Sequence, residues 1–526
     1  MFALVSVLAS LVGGPQAAIR VDTVKVPLAD GTQLHTLIFR PDDGNRHAAV
    51  LVRTPYGAAA QAKLANHLLP LGIALVSQDV RGQGQSTGQF IPFVAEQKDG
   101  LATVNWITGQ PWSDGRIGLW GISYLGYAAY AIAETGHPAV RAMVTINAWA
   151  DLGAFVTPGG ALQLGLALPW MATFAKGGRP PADPFAPDFR TLPLSAAMPG
   201  MDRVIGFAKQ PFDWGKVAIP LLQIAGWNDY TLDADLLTYE RLRTQHPKTA
   251  RALVIGPWAH NGLMSRSRTV GSDSLPPSAI FSDSASIFAA DWFRVHLLGQ
   301  GAWRRAPVTL WMQGANRWTT PASWRPEGKG TRWYLAGKAA NGSDGGGLLA
   351  LRPEAAAIDT FTSDPALPVP TIAGATPQFF PQWIGPRDRR PVQSRRDVLV
   401  YTAPISRVPL EIVGRPEAIL AIESEALTFD VSVTLSAVMP DGQVRHLTDG
   451  YLRVATAVRG TEIRVPLTPT AITLPAGSAF RVEVSGSNFP RFDRNPGTGE
   501  DPLTATTLRP VMLTLRKGGQ SMIVIP

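Results

Sequence analysis

Ser123, Asp229 and His260 are of the three types that together make a hydroxyl nucleophilic. Such chemistry needs an alcohol to attack a carbonyl, an imidazole to take its proton, and a carboxylate to hold the imidazole in one tautomer. Ser123 lies in the stretch Ile117-Gly118-Leu119-Trp120-Gly121-Ile122-Ser123-Tyr124-Leu125-Gly126-Tyr127-Ala128-Ala129-Tyr130. An apolar run, a serine among small residues, and then alanines and aromatics at helical spacing read as a buried strand, a sharp turn and a helix. Gly121 is expected to be obligatory, because a Cβ two positions before the serine would strike the helix that follows. The turn lifts the hydroxyl out of the sheet and aims the backbone N–H of Tyr124 at the oxygen of the group under attack. The usual pattern is Gly-x-Ser-x-Gly; here Leu125 holds the last position and the glycine follows at Gly126.

The other two residues are placed by strands. The run Ile219–Gly226 is followed by Trp227-Asn228-Asp229, and the run Ala252–Gly256 by Pro257-Trp258-Ala259-His260. Both therefore stand just past the carboxyl end of a predicted core strand, the edge on which Ser123 must also sit. The other histidines are placed less well: His35, His47 and His446 in hairpin or surface segments, His67 and His296 within helices, His137 and His246 beside prolines. The order serine, acid, histidine is that of the α/β-hydrolases. In that architecture a second oxyanion donor comes from the loop after the third strand, here Thr54-Pro55-Tyr56-Gly57. Tyr56 is either an O–H donor to the oxyanion or a packing tyrosine.

The elements between these points follow an α/β rhythm. Val21 to Phe39 reads as a hairpin with an Asp30-Gly31 turn. Ala48–Arg53, a helical stretch through Lys63 and His67, and Ile73–Val76 then give strand, helix, strand. Residues 19–150 and 215–300 are expected to form the catalytic domain. Residues 151–214 break the rhythm and read as an inserted helical cap over the rim of the sheet, where an insertion shapes a pocket and excludes water. From 301 to 526 short alternating segments, beginning at Val308–Met312, point to an all-β domain of sandwich or jelly-roll type.

Composition narrows the alternatives. A chain of 526 residues with 45% hydrophobic and 17% charged residues is globular and exceeds one core. With no cysteine, disulfides, thiolate metal sites and cysteine nucleophiles are excluded. The net charge of +8 raises nucleic acid as a partner. However, the densest basic cluster, Arg387 to Asp397, is short, broken by aspartates and proline, and carries no interleaved aromatics, so it reads as a solvated link. Asp79-Val80-Arg81-Gly82-Gln83-Gly84 lacks the lysine and Ser/Thr pairing of a phosphate loop, and Asp79 and Arg81 are expected to satisfy each other and nearby loop backbone. Residues 1–18 have an apolar run and small residues suited to a signal peptide but too short to span a bilayer. They imply a periplasmic or secreted protein, and without cleavage a cytoplasmic one.

Six motifs in order complete the reading: Arg53-Thr54-Pro55-Tyr56, Asp79 to Gly84, Gln110-Pro111-Trp112-Ser113-Asp114-Gly115, Gly121 to Gly126, Gly226-Trp227-Asn228-Asp229 and Gly256 to His260. Together with Asp364-Pro365, Pro368–Thr371 and Ser487–Asn495, they resemble the cocaine esterase-like family, which includes X-prolyl dipeptidyl aminopeptidases, α-amino acid ester hydrolases and glutaryl-cephalosporin acylases. The resemblance implies an α/β-hydrolase core, a helical cap and a C-terminal jelly roll. It also implies a Ser123–Asp229–His260 triad, with the Tyr56 hydroxyl beside the Tyr124 amide in the oxyanion hole and no metal or organic cofactor. The displaced glycine suits the family's own form, Gly-x-Ser-Tyr-x-Gly. Asn228 departs from the aromatic or bulkier residue that relatives carry before the acid.

The expected activity is serine-dependent hydrolysis of small carboxylic esters. The cap aspartates Asp151, Asp183, Asp188, Asp202 and Asp213 are scattered singly. A bound α-ammonium would need clustered carboxylates, so an uncharged acyl group is favoured. Amide substrates, either X-Pro dipeptides or cephalosporin side chains, are the alternative, and a non-catalytic binding protein the remote one.

Overall fold

The computed structural model describes residues 18–174, 193–260, 262–265, 267–279, 284–325, 328, 330–455 and 462–526; nearly all of the expected leader, residues 1–17, lies outside them. Eight strands build most of the N-terminal sheet: β1 (Ile19–Pro27), β2 (Gln33–Pro41), β3 (His47–Thr54), β4 (Ile73–Asp79), β5 (Ser113–Ile122), β6 (Val140–Ile146), β7 (Leu221–Gly226) and β8 (Arg251–Gly256). Their spatial order is β1-β2-β4-β3-β5-β6-β7-β8. The first two are an antiparallel ribbon with the Asp30-Gly31 turn, and β4-β3-β5-β6-β7-β8 are all parallel. Every residue of β3, β4, β7 and of the apolar run Ile117–Gly121 of β5 is buried, as expected of parallel strands covered on both faces. The chain runs from β3 outward to β4, then returns to the far side of β3 for β5. That reversal creates the crevice at the carboxyl edge where ligands bind in open sheets.

Val308–Met312, read in sequence as the first strand of the all-β segment, instead extends this sheet by pairing parallel to β8, with Arg317–Thr319 as its antiparallel edge. All of its residues are buried except the half-buried Thr309. A short alternating run of this kind does not reveal which of two sheets it joins.

The cap contributes the helices Leu152–Val156, Leu164–Thr173, Leu194–Ala197 and Met201–Ala208. Beyond it, strands from Thr331 to Ile525 build the C-terminal all-β jelly-roll domain around Leu420, Val433, Val482 and Leu513, all fully buried. This domain grips the cap: Asp493 accepts the Leu162 N–H at 2.9 Å, and the Arg491 carbonyl accepts that of Gly165 at 3.3 Å. The motif Ser487–Asn495 thus anchors the roof of the crevice. Burial pushes the Asp493 carboxyl up to about 6 against the pull of the Arg453 guanidinium beside it. Among the described residues no helix is long and apolar enough to cross a membrane.

Candidate active site

Ser123 follows β5 directly and stands at the N-cap of the helix Tyr124–Ala133 with φ 55 and ψ −125, a conformation that a non-glycine residue holds only when its surroundings enforce it. Gly121 is one enforcer: a Cβ there would lie 2.1 Å from the Leu125 carbonyl carbon. Gly126 is another, since its Cβ would come within 2.3 Å of the Ala148 methyl. The amide of Tyr124 opens the helix and is one of the N–H groups with no acceptor inside it.

The Tyr124 side chain is fixed from behind. Its hydroxyl donates to Glu96 Oε1 at 2.8 Å and accepts the Phe93 N–H at 3.1 Å. Burial raises the Glu96 carboxyl, opposed by the charge of Arg53, whose Nη1 lies 2.7 Å from Glu96 Oε2. Arg53, near the end of β3, therefore braces the turn at Ser123 from beneath. Phe93 stacks on Tyr124 and has a positive φ of 72.

Asp79 satisfies nearby loop backbone as expected, accepting the Ala58 and Gln85 N–H groups, but it does not pair with Arg81. Asp79 accepts the Ala58 N–H at 2.6 Å and meets His35 Nδ1 at 2.9 Å, while Arg81 forms a bidentate pair with Asp99. The consequence is positional, because the Asp79–Ala58 bond ties down the loop that carries Tyr56. His35 lies in the β1–β2 hairpin as expected and His47 opens β3; both are buried, not at the surface.

Asp229 and His260 meet as expected from their strand ends. His260 Nδ1 lies 2.9 Å from Asp229 Oδ2 and 3.1 Å from Oδ1, and both side chains are buried. Oδ1 also accepts the Thr231 N–H at 2.9 Å, and the His260 carbonyl accepts from Asn147 Nδ2 at 3.0 Å. Asn228 does not line the crevice. Its Nδ2 donates to the Pro257 carbonyl at 2.8 Å and its N–H to that of Trp258 at 3.1 Å, stitching the acid loop to the histidine loop. A side chain with two donors suits that bridge better than an aromatic ring would.

Ser123, His260, Tyr56 and Tyr124 line one cavity of about 240 Å³. Aromatic and aliphatic side chains make most of its wall, including Phe93, Trp149, Trp170, Leu166 and Met201, and no charged carboxylate, lysine or arginine is among the described lining residues. Trp170, from the cap, donates its indole N–H to the Tyr56 hydroxyl at 2.9 Å. The Tyr56 ring is half exposed, yet its hydroxyl sits beneath the cap, and burial pushes its pKa up to about 12. Tyr230 packs against the imidazole at a centroid distance of 4.5 Å. Burial, then the charge of Asp229, raises the Tyr230 phenol well above its ordinary value. Tyr230, Trp170 and Gln378 were not legible from sequence as wall residues; only Tyr230, adjacent to the acid, carried a positional signal.

Comparison with known proteins accords with this geometry. The X-Pro dipeptidyl-peptidase (S15 family) profile matches residues 30–198, and the X-Pro dipeptidyl-peptidase C-terminal non-catalytic domain profile matches 301–524. Over 536 aligned positions the chain is 33% identical to the cocaine esterase of Rhodococcus sp. (strain MB1 Bresler), covering 90% of this chain and 92% of that one. The chain belongs to the cocaine esterase-like S15 family. Among solved structures, an α-amino acid ester hydrolase superposes with a TM-score of 0.81 at 21% identity, covering 100% of this chain and 99% of that one. An aminopeptidase from a marine sediment archaeon, Thaumarchaeota archaeon, superposes with a TM-score of 0.77 at 22% identity, covering 99% and 98%. At these identities the two superpositions speak for the S15-family fold alone.

Proposed function

We propose that the protein is a serine hydrolase of small carboxylic esters with uncharged, largely apolar acyl groups, working through an acyl-enzyme. The observation that carries this reading is the contact of His260 Nδ1 with both oxygens of Asp229, in a cavity that Ser123 and Tyr56 also line. With Nδ1 committed to the carboxylate, Nε2 is the nitrogen left to take the Ser123 proton as the hydroxyl attacks. Asp229 stabilises the imidazolium that results. The tetrahedral oxyanion is held by the Tyr124 N–H and the Tyr56 O–H, which as a phenol is protonated at neutral pH and is held further from ionisation by burial. The imidazolium then protonates the departing alcohol, and water repeats the sequence to release the acid.

The wall argues for esters over amino-terminal dipeptides. An α-ammonium taken out of water needs a counter-charge, and the described lining offers none. The test sets p-nitrophenyl butyrate against an X-Pro p-nitroanilide, with wild type and Ser123→Ala. Ester turnover that is abolished by Ser123→Ala supports the proposal; a preference for the anilide, or unchanged ester turnover in the variant, overturns it. Export rests on the apolar run Phe2–Val12 before Ala17-Ala18, and the mass of the mature chain from its host tests it.

A further inference from the structure

Asn147 follows β6, the strand that lies between β5 of the serine and β7 of the acid, and its backbone has a positive φ of 45. Asparagine enters that region more readily than most residues, yet at a cost in free energy. The residue is buried, and the Oδ1 end of its amide has no hydrogen-bonding partner among the described residues. A buried amide with one end unsatisfied, on strained backbone, is a poor choice for stability alone.

Its bonds supply the reason. The carbonyl of Ile146, the residue before it, accepts the N–H of Ser123 at 3.0 Å. Its own N–H donates to the Ile224 carbonyl at 2.8 Å, on the strand that leads to Asp229. Its side-chain Nδ2 donates to the His260 carbonyl at 3.0 Å; a carbonyl only accepts, so the nitrogen is the end of the amide that faces it. Residues 146 and 147 thus join the nucleophile turn, the acid strand and the histidine loop. The third bond is the one that sheet pairing does not duplicate, because β8 ends at Gly256 and His260 lies on the loop beyond it. Asp229 and Tyr230 hold the imidazole ring, whereas Asn147 holds the main chain that carries it.

Resting on the serine-hydrolase reading above, we propose that Asn147 is a positioning residue: by holding the His260 main chain against the end of β6, it keeps the imidazole within reach of the Ser123 hydroxyl while protons are moved. Asn147 is not among the described residues that line the cavity, so it acts through His260 and not on the substrate. Displacing a base by about 1 Å costs on the order of a hundredfold in rate, and one bond to a loop is enough to set such a displacement.

The experiment combines Asn147→Gly, which accepts the positive φ and removes the donor, with His260→Ala, each alone and together, on p-nitrophenyl butyrate. Asn147→Gly is expected to lower kcat by about tenfold to a hundredfold with KM nearly unchanged. In the His260→Ala background the same substitution is expected to change the residual rate by less than about twofold, because a residue that works through the imidazole then has nothing to position. A wild-type kcat in Asn147→Gly overturns the proposal, and so does a loss as large without His260 as with it, the mark of a packing role. Asn147→Asp keeps the shape and the backbone preference but presents only acceptors to the carbonyl; it is expected to lose at least as much, and it carries the same cycle if the glycine variant does not fold. Should neither variant fold, Asn147 serves folding and the proposal falls. A His260→Ala enzyme of wild-type rate sinks the serine mechanism itself, whereas a crippled His260→Ala beside an unaffected Asn147→Gly sinks only the role of Asn147.

Discussion

The indole N–H of Trp170 donates to the phenolic oxygen of Tyr56 at 2.9 Å, joining the cap to the loop after β3. A hydroxyl has one proton, and an oxygen already accepting a bond turns that proton elsewhere. The cavity that Tyr56 lines is where it is useful.

Tyr56→Phe is accordingly expected to lower kcat by about 10²- to 10³-fold with little change in KM, the pattern for a donor acting only in the transition state. Trp170→Phe removes the N–H that aims the phenol and is expected to lower kcat by a smaller factor, about tenfold. Steady-state kinetics on p-nitrophenyl butyrate checks both, and a Tyr56→Phe enzyme of wild-type kcat would return Tyr56 to a packing role.

A phenol donates only while protonated, so the direction of its shift fixes the alkaline behaviour. Burial holds Tyr56 up at about 12, and the donor is lost only as pH rises through that value. The kcat of the wild type is therefore expected to stay level from about pH 8 to 10. A decline centred near 10 in wild type that disappears in Tyr56→Phe would show an ordinary phenol instead.

Two glycines give opposite expectations. Gly121→Ala puts a methyl 2.1 Å from backbone carbon, which cannot swing aside, at a cost on the order of 4 kcal/mol or more. Loss of soluble protein, or a large fall in Tm with loss of fluorophosphonate labelling at Ser123, is expected. Gly206 sits exposed in the helix Met201–Ala208 with nothing within 4 Å of a Cβ, so Gly206→Ala should raise stability by about 0.5 to 1 kcal/mol.

Buried Asp449 lies 2.5 Å from Arg491 Nη1 and 3.2 Å from His446 Nε2. Burial opposes ionisation there, but the Arg491 charge and the His446 contact prevail and hold the carboxyl well below its usual range. A depressed folded value means stability that is present above the unfolded value, near 3.8, and lost as pH falls through the folded one. Asp449→Asn leaves Arg491 buried without its partner, costing about 3 to 5 kcal/mol at pH 7. The Tm gap between wild type and variant is expected to close as pH drops below about 4; a gap independent of pH would remove the ion pair from the account.

The placement of Ser123, Asp229 and His260 at one edge of the sheet was readable because its determinants are local. A glycine, a serine and a helix opening at fixed spacing describe the turn at Ser123, and apolar runs ending at Gly226 and Gly256 place Asp229 and His260 without knowledge of the sheet order. What was not readable depends on partners distant in the chain. Asp79 and Arg81 stand two apart, yet one finds Ala58 and the other Asp99. Val308–Met312 has a pattern that either sheet would accept, and only its pairing with β8 decides. Gln378 lies in a segment with no periodicity, more than 250 residues from the serine it neighbours, and nothing in its surroundings marks it.

The contact of Asp493 with Leu162 and the approach of Gln378 to the cavity make the two ends of the polypeptide joint owners of one chamber. A chimera that exchanged the last third of the chain for that of a relative would inherit a different ceiling clamp, and with it a differently seated roof over the chamber that Ser123 and His260 line.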